Sequence, residues 1–193
     1  MIETCRKCLP HFNSHWVREE LGTFSITETN PLGAGSATFQ AENAIVIKAD
    51  MSAPLLWSLA QRKCADGAFI TFDEAGMHLH IVELKGKITP KTWAHVLMQF
   101  EGMYLTSLAV SRLLQISDLQ SVTCYVAATE DAVSNPVEES ASPTLLKGPV
   151  GKPKTFGGLE QWLQSSISLP FAAQAVLVKG WKDNTGSVDF GAV

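Results

Sequence analysis

Two short strand-like runs, GAFITF (67–72) and MHLHIVELK (77–85), flank the turn DEAG, and this arrangement constrains the fold more than any other feature of the chain. Both runs carry the apolar, aromatic and β-branched content of strands, and Gly76 suits the positive φ that a tight turn demands. The spacing then predicts a long helix from Pro90 to Ile116, with Thr89 as its cap and Pro90 in its first position. Its apolar residues are dense: Trp93, Val96, Leu97, Phe100, Tyr104, Leu108, Val110, Leu113 and Leu114. A continuous apolar strand, SVTCYVAA (121–128), follows, and buried parallel strands have this composition. The order hairpin, helix, buried strand predicts an α/β protein with a central mixed β-sheet flanked by helices.

Side chains along a strand alternate between its two faces. In 77–85 this puts Leu79, Ile81, Glu83 and Lys85 on one face, and His78, His80, Val82 and Leu84 on the other. Two charges thus continue an apolar face. Asp66 stands at the start of the preceding strand, and antiparallel pairing brings that start beside the end of the next. Two carboxylates so placed can share a divalent ion. Mg²⁺ takes oxygen ligands, keeps several waters and uses one or two carboxylates. Lys85, on the face of Glu83, is placed to assist a water or neutralise charge on a phosphate.

The stretch DGAFITFDEAGMHLHIVELKGK (66–87) resembles the core of the PD-(D/E)xK nucleases, with Asp66, Glu83 and Lys85 in the positions of the motif. The resemblance covers about residues 50–130 and is nearest to the restriction-enzyme and Holliday-junction-resolvase branches. It implies a restriction-endonuclease-like core and metal-dependent hydrolysis of phosphodiester bonds, in DNA rather than RNA. It also implies Mg²⁺ (or Mn²⁺) held by Asp66, Glu83 and the Leu84 carbonyl, with Lys85 assisting and Gln99 supporting from the helix. Restriction, repair and phage defence all use this core. Ala65 stands where the motif has Pro. Family members often add an acid from an earlier helix; Glu19, Glu20 and Glu42 are the candidates.

The remainder reads as one domain across 1–193. FSITET (24–29) and ATFQAENAIVIKA (37–49) predict an N-terminal β-hairpin extension joined by NPLGAGS. Gly33-Ala34-Gly35 is not followed by a Lys-Ser or Lys-Thr helix start, so it reads as a hairpin loop rather than a phosphate loop. A short helix capped by Asp50 or Ser52 is expected up to Lys63. The Pro-, Ser- and Glu-rich stretch 131–157 predicts a mobile loop, followed by a helix over 159–167, a strand over 173–179 and a frayed or partner-facing tail.

Cys5, Cys8, His11 and His15 are metal-ligand types, but zinc sites normally split their ligand pairs across a longer loop, and a plain N-terminal segment is the better reading. Cys64 and Cys124 read as core thiols. His78 and His80 read as half-buried strand residues rather than ligands, and His95 as a packing or surface residue. Trp57, Trp93, Trp162 and Trp181 read as core or interface.

The net charge of −4 opposes tight unaided binding to nucleic acid. The bases are clustered, however: Arg62, Lys63, Lys85, Lys87 and Lys91 lie together, away from Glu130, Asp131, Glu138 and Glu139. These features predict a homodimer or a complex with a further subunit. They also keep a rival in play: a non-catalytic interaction module that binds a protein partner. No apolar run suits a bilayer span and no signal core opens the chain, so a cytoplasmic protein without membrane contact is expected.

Overall fold

The computed structural model describes residues 2–31, 33–49, 60, 63–134 and 158–193. The strands are β1 (Val17–Glu28), β2 (Gly35–Lys48), β3 (Gly67–Phe72), β4 (Met77–Leu84), β5 (Lys87–Ile88), β6 (Leu119–Ala128), β7 (Glu130–Asp131), β8 (Ser166–Ser168), β9 (Gln174–Trp181) and β10 (Ser187–Ala192). The helices are α1 (Ile2–Cys8), α2 (Pro90–Leu113) and α3 (Leu159–Gln164). One mixed sheet runs β1-β2-β3-β4-β6-β9-β8, with β10 parallel to the first part of β2; β5 and β7 form a small separate pair. The fold is therefore α/β, with a large mixed sheet and, among the described residues, few helices.

The expected helix forms as a crossover between the parallel strands β4 and β6. Thr89 caps it: its side chain accepts from the Thr92 N–H, and the Thr92 hydroxyl accepts from the Thr89 N–H, a reciprocal capping box ahead of Pro90. The helix stops at Leu113, short of Ile116, because Gln115 turns into the left-handed region at φ 61°.

The two faces of the sheet have different cores. On one, Leu79 and Ile81 of β4 meet Trp93, Val96, Phe100 and Met103 of α2. On the other, Val82 and Leu84 join Phe24, Phe39, Phe69 and Tyr125. No described helix belongs to this second cluster; the sheet supplies its own cover. The β1–β2 register slips between Glu20 and Gly22, where Gly22 has φ +70°. Such bulges bend strands. Beyond it the hairpin curls over the second face, placing Phe24 at 5.1 Å from Phe69 and Phe39 at 5.1 Å from Tyr125, ring centre to ring centre. β2 pairs with β3 through its last residues and with β10 through its first.

Several expectations need correction. The tail is not frayed: Ser187–Ala192 form β10, and Phe190 stacks at 5.3 Å on Phe39. The N-terminal segment is helical and buries Cys5 and Cys8 in the core, while His11 and His15 point to solvent. The four side chains thus face different ways, and helical packing accounts for the cysteines without zinc. The helix over 159–167 ends at Gln164, where Ser165 enters the left-handed region and Ile167 pairs in β8. Where the expected loop begins, Glu130–Asp131 pair with Lys87–Ile88, and Asp131 accepts from the N–H groups of Val133 and Ser134. Residues 135–157, and the helix expected between Asp50 and Lys63 apart from residues 60 and 63, lie outside the described residues, as does Trp57. Trp93 and Trp162 are buried against each other at 4.9 Å, whereas Trp181 is half exposed. Among the described residues no helix is long and apolar enough to cross a membrane.

Candidate active site

Asp66 and Glu83 meet because of register. Gly67 pairs with Val82, so the residue before one stands opposite the residue after the other. The Leu84 N–H donates to Asp66 Oδ2 at 2.7 Å, and the Asp66 backbone lies near enough to the Glu83 carboxylate to help hold its pKa down. Glu83 is fully buried, and Lys85 Nζ donates to its Oε1. Glu83 Oε2 is also buried and has no hydrogen-bond partner of good geometry among the described residues. Gln99, reaching down from α2, stands beside Glu83 and donates to the Cys64 carbonyl at 3.3 Å. The structure thus brings Asp66, Glu83, Leu84, Lys85 and Gln99 to one place.

A third carboxylate completes the group. Glu28, the last residue of β1, bonds side chain to side chain with Asp66 and accepts from the Asn30 N–H at 2.6 Å. The curl of the first hairpin delivers it. Ile26 lies over Gly67, where a Cβ would sit 3.1 Å from its methyl groups; the glycine after Asp66 is what lets β1 pass. Glu19, Glu20 and Glu42 are not in the site. Glu19 pairs with Arg6 at 2.7 Å, Glu20 with Arg18 at 2.6 Å, and Glu42 is exposed.

Burial, the Glu83 charge and the hydrogen bond to Glu28 push the Asp66 carboxyl well above the usual carboxylate range, against the Leu84 N–H. Burial also raises Glu83, opposed by Lys85, the Asp66 N–H and Gln99. Burial alone would raise Glu28 too, but the bond from Asp66, the N–H groups of Asn30 and Thr29 and the Lys85 charge bring it below the ordinary value.

Lys182, between β9 and β10, is a buried cation close to this group. Its Nζ donates to the carbonyl oxygens of Gly33 at 2.7 Å and Ala34 at 3.2 Å. Burial lowers its pKa, with Asp66, Glu28 and Glu83 raising it and Lys85 lowering it, so it lies within the field of the same groups. Sequence reasoning missed both Glu28 and Lys182. Neither lies in a motif, and both arrive through contacts between distant segments.

Beside Asp66 a crevice of about 90 Å³ opens between the two halves of β1, lined by His15, Arg18, Thr27 and Lys48. On the α2 side, burial and the charges of Lys63 and Lys85 lower the pKa of the exposed His95. Basic groups thus flank the carboxylates on both sides.

The two strand histidines have other partners. His80 stacks on Phe69 with ring centres 4.4 Å apart, and its ring nitrogens bond Thr71 at 3.0 Å and Tyr125 at 3.2 Å. His78 bonds Ser121 at 2.8 Å and faces Asp73 at 3.0 Å.

Among the described residues no three His, Cys, Asp or Glu side chains converge as a metal cage. The donor set nevertheless suits a hard cation that keeps most of its waters. Asp66 and Glu83 are its candidate oxygen donors, and Glu83 Oε2 is buried without a hydrogen-bond partner among the described residues. No protein-family model, curated protein or solved structure matches this chain.

Proposed function

We propose that the chain is a metal-dependent nuclease hydrolysing phosphodiester bonds, in DNA before RNA, on a restriction-endonuclease-like core. The observation that carries this reading is Asp66 opposed to Glu83 across β3 and β4, with Lys85 on Glu83 and Glu83 Oε2 buried without a hydrogen-bond partner among the described residues. A buried carboxylate oxygen left unpaired is costly, and a cation is the natural group to satisfy it. Asp66, Glu83 and the Leu84 carbonyl would hold Mg²⁺ or Mn²⁺. The ion, when bound, supplies Lewis-acid polarisation of a phosphoryl oxygen and a more acidic water.

The chain's own groups divide the remaining work. Asp66 would hold such an ion as a carboxylate, and Glu28, bonded to it, would fix its position. Lys85 Nζ, tethered to Glu83, presents positive charge toward the substrate's phosphate or the attacking water. Gln99 orients Glu83 from the helix side. Arg18 and Lys48 on one flank, and Lys63 and His95 on the other, offer phosphate contacts that the net charge of −4 would otherwise deny. The overall acidity still favours a homodimer or a complex with a further subunit, as part of restriction, repair or phage defence.

One observation favours a second reading, an inactive nuclease-like fold that binds a protein partner. Glu28, Asp66, Glu83 and Lys85 already form a hydrogen-bonded network. Calorimetric titration with Mn²⁺ decides between them. The nuclease reading expects heat from the wild type and none from Glu83→Gln; equal heats from the two proteins remove Glu83 from any metal site.

A further inference from the structure

Lys182 has no part in the chemistry just described, yet it is 8% exposed and its ammonium group is turned inward. Lysines are seldom so buried without a paired acid. Here the direct partners of Nζ are two backbone carbonyls, Gly33 and Ala34, in the loop between β1 and β2. We propose that Lys182 is a positioning residue: its ammonium clamps this loop closed on the carboxylate cluster and so keeps Glu28 against Asp66.

The surroundings are shaped for this contact. A Cβ at Gly35 would lie 2.9 Å from Lys182 Cε and Nζ, and one at Gly33 would lie 2.8 Å from the Leu84 carbonyl oxygen and 3.4 Å from Glu28 Cγ. The loop therefore fits between the lysine and the site only because these positions carry no side chain. Gly33 is tied back to Glu28 by two short steps: its N–H donates to the Asn30 carbonyl at 2.9 Å, and the Asn30 N–H donates to Glu28. Whatever holds Gly33 thus holds Glu28.

The lysine stands on a firm base. Its own N–H donates to the Ala128 carbonyl at 2.8 Å, at the end of β6, and Asp183 accepts from the N–H groups of Thr185 and Ser187 in the turn that follows. Ser36 N–H donates to the Gly186 carbonyl at 3.1 Å, joining that turn to the start of β2. The chain after β9 is therefore the platform, and the loop is the part it holds.

The proposal is tested on the full chain in three arms. In wild type, an amine-reactive label should modify Lys182 about tenfold or more slowly than the exposed Lys7 and Lys91. In Lys182→Met, the amides of Asn30 and Gly33 should exchange about tenfold or more faster, with β3 and β4 unchanged. The third arm rests on the metal reading above: Lys182→Met should weaken Mn²⁺ binding severalfold, as should Glu28→Gln, and the double variant should be no weaker than Glu28→Gln alone. Equal labelling of the three lysines, or wild-type exchange in Lys182→Met, overturns the clamp even if one of the proteins folds poorly. Additive losses in the double variant overturn the action through Glu28. Absence of Mn²⁺ heat in wild type removes the metal reading instead, and the labelling and exchange arms still decide the clamp.

Discussion

Two hairpins meet at the same carboxylates, and they reach them by different physics. The β3–β4 hairpin is short and straight, and one turn fixes its register, so Asp66 faces Glu83 by strand alternation alone. The β1–β2 hairpin is long and bent. Its end reaches Asp66 only because a bulge at Gly22 curls it and Gly67 leaves room for Ile26. In the first hairpin the site follows from local pairing. In the second it follows from packing between segments far apart in sequence.

The largest expected effect separates the chemistry of the straight hairpin from its stability. On the proposed nuclease reading, Lys85→Ala should lower cleavage by about 10²–10⁴-fold, in line with loss of a positioned charge or proton-transfer group. Lysine supplies no ligand, so Mn²⁺ should still raise the melting temperature. Single-turnover cleavage assays alongside thermal melts check this. Unchanged cleavage removes Lys85 from the mechanism.

Next in size is a pH effect on the face the hairpins share. Burial pushes His80 down to about 4 from an ordinary 6.5, with the nearby His78 adding to the shift. The native ring therefore stays neutral where the unfolded chain takes up a proton. Stability present above pH 6.5 should fall as pH drops toward 4 and change little further below it. The shift corresponds to roughly 3 kcal/mol. The raised carboxyls of Asp66 and Glu83 act in the opposite sense, so the measurement is a difference: urea unfolding at pH 7.5 and 4.5 for wild type and His80→Gln. Identical pH dependence in the two proteins disproves the buried neutral histidine.

The same contrast explains what could be read from the sequence. Asp66, Glu83, Lys85 and the capped helix after them were legible because period-2 alternation, one glycine turn and a Thr-Pro start are local statements. Glu28 was not. In sequence it is one polar residue among Thr27, Thr29 and Asn30 at the end of a strand, and its role depends on a curl that no local pattern encodes. The tail hides its strand for a related reason. SVDFGA is too polar to read as a buried strand, yet Phe190 completes the aromatic cluster with Phe39 and Tyr125. The cysteine and histidine cluster near the N-terminus was a matter of residue type alone; helical geometry turns the cysteines inward and leaves the histidines outside.

Gly67→Val breaks the comparison at the contact between hairpins. The added methyls must displace Ile26, which already lies 3.1 Å from the nearest Cβ position. Overpacking of this kind costs about 1–3 kcal/mol. β3 and β4 should keep their register, while Glu28 is pushed from Asp66 and Mn²⁺ affinity falls. Denaturant unfolding and metal titration read the two effects separately. An unchanged midpoint shows that Ile26 does not rest on Gly67.

The smallest effect comes from a second acid on the same strand. Glu19 and Glu28 both belong to β1, on either side of its bulge, and the sequence points to Glu19 rather than Glu28. Glu19 receives two Arg6 nitrogens, at 2.7 and 3.0 Å, and Arg6 also reaches Glu3 and Asn43. The Arg6 side chain is 41% exposed, so water screens the pair and Glu3 replaces part of what Glu19 supplies. Glu19→Gln should therefore shift stability by no more than about 0.5 kcal/mol and lose even that at high salt. It should leave Mn²⁺ affinity untouched, because Arg6 and its partners stand apart from Asp66. Glu28→Gln should do the reverse, changing metal affinity more than stability, since the glutamine amide can still bond Asp66 but brings no negative charge. If the two substitutions alter Mn²⁺ binding equally, the bend in β1 does not sort its acids, and the curled hairpin is a cover for the core rather than part of the site.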